Sequence, residues 1–378
     1  MKKPDYICTG DLNSFAFFTV TKRLPSIVRS IIENNSFSSE ILEKLEELFR
    51  DIPGAEFKPL PGTSGVNRRI NEKIKTEKYR WNKAPFIFVE NYLYHRLKEI
   101  CGYSANRYDY FAFKKNNDVL SKKDELLKAI EDFDALAKHE LSASIKQVMH
   151  SYLFGNAVDL SQAKVLDKSA VNLLIDDSEK TGSVLANSKQ IDIILDNSGE
   201  ELLYDILFSY WVLNKTKTAT VNLHFKTFPY FVSDALKSDF HFLLKVLSET
   251  AGGKNFSAAI YDRIARGSIV LLEDDFWTDT DDFLSTPENI KNIFLNSDLI
   301  IFKGDLNYRK LVEDRHWEHN TGIKEIITYP HKNCLALRVL KSELITGLKN
   351  VPDASNNEWM YNGKYGIIQL AAKLQLRQ

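Results

Sequence analysis

The sequence predicts an α/β protein, mostly helical in its first part and built on a mainly parallel sheet in its second. Apolar residues recur at spacings of three and four between about Ser26 and His150, which is helical periodicity. From Ile191 onward, strand-like runs alternate with helix-like ones, the pattern of parallel βαβ units. Three of those runs deliver a carboxylate at or beyond their C-terminal ends. An open α/β sheet builds a ligand crevice in that way.

In the helical part, Ile27, Ile31 and Ile32 form one stripe, and Ile41, Leu42, Leu45, Leu48 and Phe49 form the next. Pro53-Gly54 and the stretch Pro59 to Gly65 break the pattern. Helical character resumes from Trp81 to Gly102, with Pro85 near its start and Gly102 as its stop. The aromatic cluster Tyr103 to Phe113 reads as a helix-packing surface, with base stacking as the alternative. In the second part, Ile191-Asp-Ile-Ile-Leu-Asp196-Asn197 is a strand ending in two oxygen-bearing side chains. Ala219 to Lys226 is a strand followed, past Pro229, by Ser233-Asp234. Leu299 to Phe302 runs into Lys303-Gly304-Asp305. Ser268 to Leu272 and Leu335 to Lys341 are further strands, and 201–213, 238–249, 287–295 and 308–314 read as helices. There is no internal repeat, low-complexity tract or coiled-coil heptad.

A chain of 378 residues with 44% hydrophobic content can bury a large core. Its 50 Lys and Arg nearly cancel its 51 Asp and Glu. It therefore has no global field to hold nucleic acid or an anionic membrane. No apolar run approaches the roughly 18 to 20 residues that span a bilayer, and Met1-Lys-Lys-Pro-Asp has no apolar run after it. Three scattered cysteines, Cys8, Cys101 and Cys334, suit a reducing interior. The expected setting is cytoplasmic, with no nucleic-acid or membrane partner and an undetermined oligomeric state.

Asp196, Asn197 and Asp234 offer only oxygen, and hard oxygen ligands select Mg²⁺, Mn²⁺ or similar ions. A carboxamide beside a carboxylate lowers the negative charge and leaves room for a phosphate to complete the coordination. An Asp-Asn pair after a strand also serves as a turn or a helix N-cap. Lys303, Arg309, Arg338, Lys341 and Lys364 are cations that could neutralise phosphoryl charge. No phosphate-binding P-loop or dinucleotide-binding glycine motif is present, and neither His-Glu-x-x-His nor Gly-x-Ser-x-Gly occurs. His316 and His319, three apart, fit an exposed face of a charged helix better than a metal site.

The segments 302–311 (Phe-Lys-Gly-Asp-Leu-Asn-Tyr-Arg-Lys-Leu), Asp196-Asn197-Ser-Gly-Glu-Glu201-Leu, His224-Phe-Lys226-x-x-Pro229-x-Phe-Val-Ser-Asp234 and Gly363-Lys364-Tyr-Gly366 together resemble the damage-control phosphatase family. Within it, the resemblance is to the sugar-phosphate phosphatases whose human member also carries a protein-glutamate methyltransferase assignment. It extends to Phe15 through Pro25, Trp81 to Tyr94, and Leu153 to Ser161. It implies a helical N-terminal bundle, residues 1–160, packed on a three-layer α/β/α Rossmann-like metal-phosphatase domain, residues 161–378. It further implies that Asp196, Asn197 and Asp234 bind a divalent metal (Mn²⁺, Co²⁺, Ni²⁺ or Mg²⁺), that Glu201 lines the pocket, and that Asp305 sits on the substrate side. Arg338-Val339-Leu340-Lys341-Ser342 matches the family's Arg-Thr-x-Lys substrate motif, with Val339 where threonine is usual.

The expected activity is metal-dependent hydrolysis of small sugar phosphates such as fructose 1-phosphate or fructose 6-phosphate. Asp196, Asp305 and Lys341 are the candidate catalytic groups, and Asn197, Glu201, Asp305, Arg338, Lys341, Ser342 and Lys364 the substrate contacts. Two alternatives stand beside it. One is an S-adenosylmethionine-dependent protein-glutamate methyltransferase, for which the chain shows no glycine-rich loop after a first strand. The other is a weakly active metabolite-binding protein, motivated by Val339.

Overall fold

The computed structural model describes residues 2–52, 54–62, 65–154, 172–279, 283–327, 331–353 and 355–372. The expected boundary at 160/161 and the second half of the Leu153 to Ser161 motif lie outside the described residues. Helices α1 (Phe15–Phe18), α2 (Leu24–Asn34), α3 (Ser39–Asp51), α4 (Gly65–Glu77), α5 (Phe86–Ile100) and α6 (Tyr103–Asn106) come first, followed by α7 (Ala112–Ser121), α8 (Lys123–Leu136) and α9 (Leu141–Phe154). The sheet region contains β1 (Asn172–Asp176), α10 (Ser178–Leu185), β2 (Gln190–Ile194), α11 (Glu200–Lys215), β3 (Thr220–Phe225), α12 (Lys237–Ser248), α13 (Ala251–Ala265) and β4 (Ile269–Glu273). It continues through α14 (Glu288–Asn296), β5 (Leu299–Lys303), α15 (Gly304–Leu311), α16 (Ile323–Ile326), β6 (Asn333–Val339) and β7 (Tyr365–Ala371).

The seven strands lie in the order β1-β7-β6-β5-β2-β3-β4. β6, β5, β2, β3 and β4 are parallel. β7 runs antiparallel to β6 and parallel to β1, so those two strands run against the rest. The chain leaves β2 toward β3 and β4, then returns to place β5 and β6 on the other side. That reversal opens a crevice at the carboxyl ends of β2 and β5.

Alternation along the strands sends residues to two cores. Ile191, Ile193, Leu299, Ile301, Leu337 and Val339 face one side, where α8, α9, α11 and α12 cover them. Ile194, Ile300, Phe302 and Ala336 face the other, against α14, α15 and the side chains of Phe276, Trp277 and Phe283. A third core joins α2 to α5 with Tyr110, Phe111, Phe228, Tyr230 and Leu306. The early helices therefore play two roles, since α2 to α6 lie largely around their own core while α8 and α9 form part of the sheet's outer layer. Val339 is fully buried in the first of these cores. The segment holding His316 and His319 is irregular rather than helical, which corrects the charged-helix expectation. No described helix is long and apolar enough to cross a membrane.

Candidate active site

β2 and β5 pair in register, Ile193 with Ile301 and Ile194 with Phe302, which brings Asp196 level with Gly304 two residues on. Gly304 has φ +80, and a Cβ there would overlap the Asp196 carboxylate. Only glycine meets both conditions. Asp234 arrives from the loop after β3 by way of Phe231 and Val232, both left-handed at φ 42 and 69. That conformation is costly for a β-branched residue. It turns the chain back onto β2, where Ser198 N donates to Ser233 O at 2.7 Å and Ala235 N donates to Asp196 O at 2.7 Å.

The Asn197 carboxamide links the acidic groups. Its Nδ2 donates to Asp196 Oδ2 at 3.0 Å and to Glu201 Oε2 at 2.8 Å, while its Oδ1 accepts from Ser233 Oγ. Two buried lysines stand behind this set. Lys226 Nζ donates to Leu195 O at 2.9 Å and lies 3.4 Å from Asp234 Oδ2. Lys303 Nζ is 3.2 Å from Glu201 Oε1 and 3.2 Å from Asp205 Oδ1, over the Tyr152 ring. Burial, together with the neighbouring Glu201 and Asp234 carboxylates, pushes the Asp196 carboxyl well above the carboxylate range, against the pull of Lys226 and Lys341. Burial also lifts Asp205, to about 6, although Lys303 opposes it. Burial would lower Lys303, but Asp205 and Glu201 hold it above its ordinary value.

Asp305 opens α15 and is handled differently. Its Oδ1 accepts from Arg338 Nε at 2.8 Å, from Lys341 N at 3.2 Å and from Ser342 Oγ at 3.2 Å. Burial works to raise its pKa, but Arg338, then Arg309 and these hydrogen bonds outweigh it, so the carboxyl lies below the ordinary range. Asp305 is therefore an ionised acceptor at neutral pH.

These groups meet in a cleft of about 490 Å³, counting space open to solvent. Asp196, Asn197, Asp234, Asp305 and Lys341 all line it. Glu201 stands behind Asn197, and Arg338 and Ser342 are buried behind Asp305. Lys364 is outside the lining, exposed on the turn before β7. Val339, next to Arg338 along β6, points into the sheet core and away from Asp305.

The rest of the wall comes from residues that the sequence did not single out as site groups. Phe15, Arg23 and Glu90 come from the N-terminal region, and Phe231 and Leu306 from the loop after β3 and from α15. Arg309, one of the candidate cations, joins them; its Nη1 meets Glu90 Oε2 at 2.6 Å, and its Nε and Nη2 each donate at 2.8 Å to an oxygen of Asp314. Phe15, Arg23 and Glu90 all lay within stretches that carried the resemblance. That was their only signal, since nothing local marks them.

The donor set fits a hard divalent ion. Two carboxylates that repel each other and one carboxamide line the cleft, and the missing side chain of Gly304 leaves room for the Asp196 carboxylate. Among the described residues no three His, Cys, Asp or Glu side chains form a complete cage, so water and substrate oxygens would finish the shell. Asn197 presents its nitrogen to both Asp196 and Glu201, and a half-turn of the carboxamide that presented its oxygen instead would give up the bond to Glu201. The Ser233 hydroxyl can follow that turn because it donates or accepts equally well.

Residues 19–356 match the family model described as the damage-control phosphatase ARMT1-like domain. The chain is similar to the damage-control phosphatase ARMT1 of Xenopus laevis, 27% identical over an alignment 443 positions long that covers 99% of this chain and 100% of the relative. The Bos taurus protein of that name is 28% identical, covering 98% of this chain and 99% of its own. The Homo sapiens protein is 27% identical, covering 97% and 98%. Among solved structures, a DUF89 family protein from Pyrococcus horikoshii matches with a TM-score of 0.52 at 13% identity, covering 93% of this chain and 97% of that one. That last likeness speaks to the fold.

Proposed function

This chain belongs to the damage-control phosphatase ARMT1-like family, and on that premise we propose that it hydrolyses small sugar phosphates such as fructose 1-phosphate or fructose 6-phosphate with a divalent metal at Asp196, Asn197 and Asp234. One observation carries the reading. A single cleft sets the acidic Asp196, Asn197 and Asp234 group against Lys341, with Arg309 and Arg23 elsewhere in its wall. Such a cleft receives a phosphate dianion and leaves hydrogen-bonding groups for the body it is attached to.

When bound, the ion would supply Lewis-acid polarisation of the phosphoryl group. The chain's own residues do the rest. Lys341 lies at the cleft and its charge reaches Asp196, so it offsets the charge on the phosphoryl oxygens. Asp305 is fixed through one oxygen by three donors, and its second oxygen can accept a hydrogen bond from the attacking water. Because its pKa is depressed, it serves to orient that water more than to keep the proton. Glu201 and Lys303 hold Asn197 in place from behind. A reducing, cytoplasmic setting suits the three free cysteines. The division at 160/161 stays part of this proposal; the core around α2 to α5 favours it, although that core also takes in Phe228, Tyr230 and Leu306, and α8 and α9 pack on the sheet.

The test is phosphate release from a panel of hexose monophosphates with Mg²⁺, Mn²⁺, Co²⁺ or Ni²⁺, each repeated with a chelator. Hydrolysis that survives chelation refutes the metal assignment. Release from other esters but from no sugar phosphate refutes the substrate class.

A further inference from the structure

The groups around the cleft form an ordered series of neighbours. Lys341 acts on Asp196, and its backbone N–H meets Asp305. Arg309 acts on Asp305 and pairs with Glu90. Arg23 acts on Glu90 and stands 5.3 Å from the centroid of the Phe15 ring. The acidic metal-type set is one end of the series, and Phe15 with Arg23 is the other.

Several features fix that far end. Phe15 stacks on Tyr361 at 5.0 Å and meets Phe86 edge-on at 6.4 Å. The N–H groups of Phe15 and Ala16 donate to Glu343, two residues beyond Lys341, which ties α1 to the phosphate-side loop. Arg23 closes a π-helical turn over Thr19–Arg23. Turns of that kind are rare and concentrate at functional sites. Phe15 also precedes the stretch 19–356 that matches the family model.

Charge narrows what the far end can take. Two guanidiniums, Arg23 and Arg309, stand with two carboxylates, Glu90 and Asp314, so the formal charges cancel. A second phosphate would gain little there. Hydroxyl groups, which both donate and accept, find partners of both kinds.

We propose that Arg23, braced on the Phe15 ring, is a specificity-determining residue that binds the hydroxylated body of a monophosphorylated substrate while the phosphate occupies the Asp196 and Lys341 end. The inference rests on the phosphatase reading above. It concerns how the cleft distinguishes esters, and assigns Arg23 no part in bond breaking.

The test compares a hexose monophosphate with ethyl phosphate, which has no hydroxylated body, using metal-loaded protein, wild type and Arg23→Met, Arg23→Lys and Phe15→Leu. In Arg23→Met the ratio of kcat/KM for the hexose phosphate to that for ethyl phosphate should fall by about tenfold or more, the size of a charge-assisted hydrogen bond, with the loss in KM. Arg23→Lys should recover part of it, and Phe15→Leu should fall in the same direction by less. Turnover of ethyl phosphate by each variant reports that the protein is folded. An unchanged ratio, or a loss confined to kcat, overturns the inference while the phosphatase reading stands. Wild-type protein that releases phosphate from neither ester overturns both.

Discussion

Replacing Gly304 with alanine should couple strongly to Asp196. The added Cβ meets two costs. At φ +80 an L-residue with a side chain loses about 1–2 kcal/mol. The same methyl overlaps the Asp196 carboxylate, which must leave its place, and overpacking of that kind costs about 1–3 kcal/mol. Gly304→Ala should therefore lose about 2–5 kcal/mol in urea denaturation. It should also lose nearly as much phosphatase activity as Asp196→Ala, because the displaced carboxylate no longer faces the cleft. In an Asp196→Ala background the overlap disappears and only the backbone cost remains, so the double-mutant cycle should show a coupling of about 1–3 kcal/mol. Additivity within about 0.5 kcal/mol would refute the reasoning, since it would mean that Gly304 is needed for its turn alone.

Asp305→Asn should lower kcat by more than it weakens the ion, measured by steady-state kinetics beside calorimetric titration of Mn²⁺; loss of the ion as complete as in Asp196→Ala would make Asp305 a ligand. The Asp305 carboxyl is depressed in the folded protein, so it contributes stability above the ordinary carboxyl pKa of about 4 that is lost as pH falls through its lower folded value. Asp305→Asn should accordingly flatten that acid limb in melting curves taken from about pH 5 downward. Lys303→Met leaves Glu201 and Asp205 buried without their cation, and should cost about 3–5 kcal/mol in urea denaturation. A loss under about 1 kcal/mol would show that the two acids are held by something else. Val339→Thr should lower the melting temperature, because a buried hydroxyl in that core costs about 1–3 kcal/mol, and should leave KM unmoved. A lower KM at constant melting temperature would return position 339 to the substrate.

The elements that the sequence made legible are those whose chemistry changes abruptly along the chain. β2 could be read because an apolar run stops at Asp196-Asn197, and β5 because one stops at Gly304-Asp305. The stripes of α2 and α3 follow from helical spacing alone. β1 and β7 carry no such local signal. They pair with each other across nearly two hundred residues and run against the main sheet, so neither forms a βαβ unit that local alternation would reveal. α13 was hidden by Gly252 and Gly253 at its start. A Cβ on Gly253 would come 2.5 Å from the Leu247 carbonyl oxygen, so that glycine permits the tight approach to α12 that makes the helix possible.

The same distinction separates the two ends of the cleft. The acidic end is carried by Asp196 and Asn197 just past β2 and by Asp234 in the loop after β3, where an apolar run gives way to polar side chains that the sequence makes legible. The far end has no such signal. Glu90 reaches Arg309 across 219 positions, and Phe15 gains its place only because Glu343, Tyr361 and Phe86 converge on it. Chemistry on the phosphate is thus fixed by topology common to open α/β sheets. On the reading proposed above, recognition of what the phosphate is attached to depends on the packing of the N-terminal helices against the rim, at residues distinct from Asp196, Asn197 and Asp234.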